Sequence, residues 1–269
     1  IINNLAKPHL IPLKIFGKIQ FFLNKTKYKK DFFENKKNEI FNKFDLDRNS
    51  GLKKLDNLKN NYQFLVRGMA SEHEVFFSSL SLNSKINIEK ILEIGTFDGK
   101  NSFLLSLLFN NVSIDTIDLE KESEDFKKSY NRENKLNEFV KSRDNILSKN
   151  DKIFFRELNS IKLCNENNKK YDLIWIDGAH GYPTVCIDII NSIKLINDNG
   201  VIMCDDIYVN KIKSDKMYQS TAAFETLSEL KKENLIQFEL IYKRLDADSN
   251  CDKKRRKYVA IIKKTDLLF

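Results

Sequence analysis

The sequence predicts an α/β fold with a Rossmann-like, doubly wound sheet that is mostly parallel and has seven strands. From residue 90 onward, short apolar runs alternate with longer segments of helical periodicity. This pattern is typical of strands that are buried on both faces and connected by helices. The last two apolar runs, at 236–245 and 258–264, are joined by a charged loop without a helical segment. We therefore expect them to form a terminal antiparallel pair at one edge of the sheet.

The elements follow in order along the chain. Parallel strands are predicted at 90–95, 113–119, 152–158, 171–177 and 201–206. Helices are predicted at 101–109, 121–149, 184–197 and 219–233, and the third of these is expected to stop at a turn formed by residues 197–200.

The N-terminal part of the chain shows helical periodicity and no strand signal. We predict that residues 1–64 form a helical extension or cap and that residues 65–269 form the sheet domain. Residues 10–23 repeat apolar side chains at helical spacing, which indicates a helix that covers the core or contacts a second copy in a homodimer. A weak contact with a membrane surface is the alternative. No run of 18 apolar residues is present, so no transmembrane segment is expected.

Composition limits the partners and the compartment. The net charge is +8, but the one dense basic run, at 253–257, has no interleaved aromatic residues and is predicted to be a solvated loop. Nucleic acid is therefore not an expected partner. The four cysteines have neither CxxC spacing nor a histidine pattern, which disfavours a zinc site or disulfides and fits a reducing, cytoplasmic location.

Polar residues follow every predicted parallel strand. Ligands of such sheets bind outside the carboxyl ends of the strands, at the topological switch point. The glycines after the first strand lack the spacing of a pyrophosphate loop, and the acid that ends the second strand suits hydrogen bonding to a ribose. The strand-end residues are Glu93, Gly95, Gly99 and Asn101 for the first strand, Asp118 for the second, Asn159 and Ser160 for the third, Asp177 and His180 for the fourth, and Asp205 and Asp206 for the fifth.

Two stretches carry a resemblance to a known family. "EIGTFDGKNS", followed by an acid at the end of the next strand, resembles the class I S-adenosylmethionine (SAM)-dependent methyltransferases. Together with "WIDGAHGY…NDNGVIMCDDIY", it is similar to the cation-dependent O-methyltransferases, which include the catechol and caffeoyl-CoA type and bacterial sugar O-methyltransferase relatives. The resemblance covers about residues 65–264 and implies two cofactors, SAM and Mg²⁺ or another hard divalent cation such as Ca²⁺.

The resemblance also implies roles for individual residues. The methionine end of SAM would be lined by Glu93, Gly95, Thr96, Phe97 and Gly99, its carboxylate would be met by Asn101, its ribose by Asp118 with Leu119, and its adenine by Asn159 and Ser160. The cation would be held by Asp177, Asp205 and Asp206, with Asp177 also beside the cofactor and the reacting groups, and His180 would be the base. Asn101 and His180 stand where the catechol type usually has serine and lysine.

The expected activity is methyl transfer from SAM to a hydroxyl group of a small acceptor. A sugar is favoured over a catechol as this acceptor. Three converging carboxylates repel one another unless a cation is present, and all-oxygen ligands select a hard cation. Such a cation lowers the pKa of a bound hydroxyl, whose proton a histidine can take.

Three alternatives remain open. The first is methylation of an amino group or a macromolecule, which the absence of a [DNS]-P-P-[YF] segment disfavours. The second is a nicotinamide-dependent oxidoreductase, which the glycine spacing disfavours. The third is a catalytically silent interaction module, which the presence of all three aspartates disfavours.

Overall fold

The computed structural model of the chain describes residues 19, 22–23, 30–66, 71–129, 135–166, 168–211, 219–245 and 256–265. Of residues 10–23 only 19, 22 and 23 are described, and of the basic run at 253–257 only 256 and 257, so these predictions lie mostly outside the described residues. No helix in these ranges is both long and apolar enough to cross a membrane.

The sheet confirms the predicted α/β architecture. Its strands are β1 (Lys90–Ile94), β2 (Ser113–Asp118), β3 (Ile153–Glu157), β4 (Tyr171–Ile176), β5 (Ile196–Ile207), β6 (Ile236–Tyr242) and β7 (Tyr258–Lys264). Their order in the sheet is β3-β2-β1-β4-β5-β7-β6. Neighbouring strands from β1 to β5 pair in parallel, whereas β7 is antiparallel to both β5 and β6.

Helices cover both faces of this sheet, and one predicted helix is divided in two. The α-helices are α1 (Lys30–Lys43), α2 (Arg48–Asn61), α3 (Glu72–Leu80), α4 (Lys100–Leu108), α5 (Glu124–Lys128), α6 (Leu136–Leu147), α7 (Thr184–Leu195) and α8 (Ala222–Lys232). Short 3₁₀ helices occupy Gln63–Leu65 and Ser160–Asn165. The charged stretch 121–149 is two helices instead of one.

The predicted turn at 197–200 belongs to β5, which already begins at Ile196. The side chain of Asn197 donates a hydrogen bond to Asp172 at 2.6 Å and so holds this segment beside β4. The register against β4 shifts between Tyr171 and Leu173, so the residues that look like a turn form an irregularity within the strand.

The core consists of two apolar layers, one on each face of the sheet. Successive strand residues alternate between the layers, so that Ile91 faces one and Leu92 the other. The first layer contains residues of α1, α2, α3, α4 and α6, and the second contains residues of α7 and α8. Trp175 is fully buried in the first layer.

Buried ion pairs join the N-terminal helices to one another and to the sheet. Arg48 on α2 donates to Glu72 on α3 with its Nε at 2.9 Å and to Glu34 on α1 with its Nη1 at 2.7 Å. Lys37 on α1 lies 3.3 Å from Glu72 and donates to the carbonyl of Leu245, just beyond β6, at 2.7 Å. These contacts hold α1, α2 and α3 against the end of the sheet that presents the strand-end residues.

Candidate functional site

The loop between β1 and α4 is shaped by residues with positive φ. Gly95 has φ +100°, and a Cβ there would overlap the carbonyl oxygen of Asp177. Gly99 has φ +76° and begins α4. Phe97 has φ +50°, which is unusual for a bulky side chain, and its ring lies 5.5 Å from that of Phe139. The two glycines of the sequence motif thus allow the ends of β1 and β4 to approach each other and the chain to turn into α4.

Asp118 lies at the end of β2, directly opposite this loop. Its Oδ2 accepts a hydrogen bond from the Phe97 N–H at 3.0 Å, and its Oδ1 accepts one from the Leu119 N–H at 2.8 Å. Two backbone donors therefore fix the orientation of this carboxylate at the edge of the sheet.

Glu93 and Asn101 form a buried polar cluster beneath the loop. Glu93 is fully buried and accepts hydrogen bonds from Asn101 Nδ2 at 2.8 Å, from Thr116 Oγ1 at 2.7 Å and from the Ser102 hydroxyl. The Thr96 hydroxyl joins the cluster through Thr116 at 2.7 Å. The side-chain oxygen of Asn101 is buried and has no hydrogen-bond partner among the described residues. This amide thus presents an acceptor that suits an N–H group of a ligand.

At the end of β3, Asn159 accepts a hydrogen bond from the Ile161 N–H at 3.0 Å and so begins the short helix that contains Ser160. Ser160 lies beside Asp188 of α7, a residue that sequence reasoning missed. Asp188 is fully buried, and neither of its carboxylate oxygens has a hydrogen-bond partner of ordinary geometry in the described part of the chain. Burial raises the pKa of Asp188 to about 6, and the Ser160 hydroxyl offsets this only in part. The sequence signal that could have indicated Asp188 is the position of an acidic residue within the mostly apolar sequence of α7.

Asp177, which follows β4, and Asp205 and Asp206, near the end of β5, lie close together beside His180. Its Nε2 lies 3.6 Å from Asp177 Oδ1 and 3.9 Å from Asp206 Oδ2. Burial lowers the pKa of His180 below its ordinary value, although the charges of Asp206 and Asp205 oppose this. Asp206 has φ +54°, a left-handed conformation that turns its side chain out of the alternation of β5.

Two lysines that sequence reasoning did not select bind these carboxylates. Lys243 Nζ donates to Asp205 and, at 2.5 Å, to Asp206 Oδ1, and Lys257 Nζ lies 2.5 Å from Asp206 Oδ2. The topology explains their position. Since β7 runs antiparallel to β5 and β6, the residue after β6 and the residue before β7 both lie at the carboxyl end of β5. Lys257 was predicted within a solvated loop, but its side chain is only 17% exposed.

The ion pairs between the lysines and the aspartates shift the pKa values of both partners. Burial would raise the pKa of Asp205, but the charge and hydrogen bond of Lys243, together with the charges of His73 and His180, hold this pKa below its usual value. Burial would likewise lower the pKa of Lys243, yet Asp205 and Asp206 raise it. One oxygen of Asp205, Oδ1, is buried without a hydrogen-bond partner among the described residues.

The residues present do not fit a divalent cation. Lysine ammonium groups contact Asp205 and both oxygens of Asp206, and they already supply the positive charge that a cation would bring. Within the described ranges, no set of three or more Asp, Glu, His or Cys side chains is arranged to hold a metal ion. The carboxylates predicted as metal ligands thus lie near one another, but with lysines as partners.

Comparison with known proteins identifies the central part of the chain. Residues 92–207 match the family model described as a methyltransferase domain. This range runs from β1 to the end of β5 and contains the glycine loop, Asp118 and the acidic residues around His180. A search of the curated proteins found no significant match.

Solved structures share the fold at low sequence identity. The O-methyltransferase TomG from Streptomyces achromogenes, involved in tomaymycin synthesis and solved in complex with SAM, is 14% identical with a TM-score of 0.52, covering 88% of this chain and 99% of its own. An O-methyltransferase from Bacillus cereus in complex with SAH is 19% identical with a TM-score of 0.50, covering 80% of this chain and 91% of its own. At these identities the comparison shows a common fold.

Proposed function

We infer that this chain, whose residues 92–207 match a methyltransferase domain, transfers a methyl group from SAM to a hydroxyl group of a small acceptor. The observation that carries this proposal is the arrangement at the carboxyl edge of the sheet. An oriented carboxylate, Asp118, follows β2, and a histidine among carboxylates, His180, follows β4. The first is suited to the cofactor and the second to the acceptor.

On the cofactor side, Asp118 accepts hydrogen bonds from the ribose hydroxyls of SAM. Asn101 donates its amide N–H to Glu93, so its oxygen is the atom available to a ligand. An acceptor oxygen suits the ammonium group of the methionine part of SAM better than its carboxylate, which differs from the role expected from the resemblance. Asn159 and Ser160 lie at the end of β3, where the adenine is proposed to bind.

On the acceptor side, His180 takes the proton of the hydroxyl group. SAM supplies a methyl group on a positively charged sulfur, which keeps the electron pair of the broken carbon–sulfur bond. As the acceptor oxygen bonds to the methyl carbon, its proton passes to His180 Nε2. Asp177 Oδ1 lies 3.6 Å from that nitrogen, and its negative charge stabilises the imidazolium that forms.

The polarity of the site favours a sugar over a catechol as the acceptor. Asp177, His180 and Lys257 are each partly accessible and offer hydrogen-bonding groups around the proposed acceptor position. A polyhydroxylated molecule uses several such groups, whereas a flat aromatic ring uses few.

The activity test is methyl transfer from labelled SAM to a panel of sugars and catechols. We expect transfer to a hydroxylated acceptor, and His180→Gln should lower kcat about 10²–10⁴-fold, the range typical of a general base, with little change in the KM for SAM. Glu120→Gln, an exposed position beyond β2, serves as the matched control.

A folded, SAH-binding protein that labels only amino groups, nucleic acid or protein would replace this proposal with the alternative of another acceptor class. Unchanged kcat in His180→Gln would remove the histidine from the reaction.

A further inference from the structure

We propose that the ammonium group of Lys243, with that of Lys257 beside it, takes the place of the divalent cation of the cation-dependent O-methyltransferases that this chain resembles. The chain would then hold its acceptor and transfer the methyl group without a metal. This inference deepens the proposed function and rests on it for the position of the acceptor.

The first argument for this replacement is the balance of charges around the site. Lys243 contacts Asp205 and Asp206, and Lys257 contacts the second oxygen of Asp206. With Asp177 nearby, two ammonium groups thus face three carboxylates. A divalent cation added to this group would leave an excess of positive charge and would have to displace both lysines from their hydrogen bonds.

The second step is that Lys243 is held in place by its own backbone. Its N–H donates to the carbonyl of Lys257 at 3.0 Å, and its carbonyl accepts from the N–H of Glu72, at the start of α3, at 2.8 Å. The whole residue is only 8% exposed. Its side chain therefore cannot leave the carboxylates without being buried unpaired, which is costly for an ammonium group.

Lys257 is held by a different contact. Its Nζ lies 5.6 Å from the centre of the buried Tyr208 ring, at a distance that allows a cation–π interaction, while it binds Asp206. The two ammonium positions are thus built by β6, β7 and the chain that follows β5.

The third step concerns what an ammonium group can do for the acceptor. Lys243 has three N–H donors, and within the described part of the chain it uses one for each of Asp205 and Asp206, which leaves one donor for an acceptor oxygen. The buried Asp205 Oδ1 provides an acceptor for a hydroxyl group at the same place. An ammonium group forms no coordination bond, so the proton of the reacting hydroxyl still requires a base, the role proposed for His180.

The test uses the full chain and Mg²⁺ alone, measured by titration calorimetry and by thermal unfolding with and without EDTA. We expect no Mg²⁺ binding with a Kd below about 1 mM, the weak end of protein sites for hard cations, and no effect of EDTA on Tm. Lys243→Met keeps the length of the side chain but removes its charge. This variant should have a lower Tm, which Mg²⁺ or Ca²⁺ restores in part because the released carboxylates can now bind the cation.

Lys43→Met is the matched control, because Lys43 is exposed and pairs with Glu239 on the surface. It should show no response to either cation. If Lys243→Met does not fold, the titration of the unmodified chain decides alone.

The proposal is overturned if the unmodified chain binds Mg²⁺ below that limit and loses the binding in Asp205→Asn. It is also overturned if a folded Lys243→Met responds to Mg²⁺ no more than the unmodified chain does. SAH binding is measured on the same samples, so that a failure of the proposed function, seen as no SAH binding, is distinguished from a failure of the charge replacement.

Discussion

Gly95 shows how a single residue allows the site to form. Its φ of +100° favours glycine, and any side chain would meet the backbone of Asp177 at the end of β4. We therefore expect Gly95→Ala to lower the free energy of unfolding by at least about 1–3 kcal/mol, measured by urea denaturation. It should also weaken SAH binding, because Phe97 and Asp118 are positioned by the same loop.

Gly178 provides the control for this prediction. A Cβ at Gly178 would lie 3.5 Å from Ile94 Cγ2, an ordinary contact. Gly178→Ala should therefore cost less than about 1 kcal/mol. Equal losses in the two variants would show that the positive φ of Gly95 does not matter to the loop.

At the same scale, the sequence predicted the acids of the site but not their partners. Asp177 and Asp205 follow apolar runs directly and Asp118 ends a short alternating strand pattern, so their place at the strand ends could be predicted locally. Lys243 and Lys257 are 38 and 51 residues away from the aspartates that they bind, Asp205 and Asp206 respectively. Their position depends on how the terminal strand pair docks against β5, which no local pattern encodes.

Among the elements, helix α7 carries a buried charge that makes stability depend on pH. The pKa of Asp188 is about 6 in the folded chain, above its ordinary value of 3.8. Below pH 3.8 the group is protonated in both states. As the pH rises toward 6, the unfolded chain loses this proton while the folded chain keeps it, so the free energy of unfolding falls, in total by roughly 3 kcal/mol.

Asp188→Asn should remove this dependence. We expect urea denaturation to show a higher free energy of unfolding than that of the unmodified chain at pH 7.5 and a smaller decline between pH 4 and 6. Asp198→Asn, whose side chain is 83% exposed, is the control and should follow the unmodified chain. The same decline in Asp188→Asn as in the control would contradict the burial of a raised-pKa carboxyl in α7.

The ends of helices and strands were predictable where an apolar pattern is followed by a glycine or a charged residue. The ends of β1 and β2 follow from the change to glycine or acid. The start of β5 could not be predicted in this way. Asn197 and Gly200 are residue types typical of a turn, but the hydrogen bond from Asn197 to Asp172 holds the segment against β4. Here a tertiary contact overrides local preference.

For the whole molecule, the alternation of apolar runs and helical segments was sufficient to predict the sheet and its antiparallel pair. The arrangement of α1, α2 and α3 was not predictable, because it depends on buried pairs such as Arg48 with Glu72 and on the contact of Lys37 with the Leu245 carbonyl. The division of the chain near residue 64 stays a prediction.

Calorimetry of SAH binding tests most directly whether the carboxyl edge of this sheet is a SAM site organised by Asp118. We expect the unmodified chain to bind SAH at one site, and Asp118→Ala to weaken the affinity about 5- to 150-fold, which corresponds to about 1–3 kcal/mol for a lost charge-assisted hydrogen-bond partner. Glu120→Ala, two positions further along the exposed loop, should bind as the unmodified chain does. A folded chain that does not bind SAH, or an Asp118→Ala variant with unchanged affinity, would contradict this assignment.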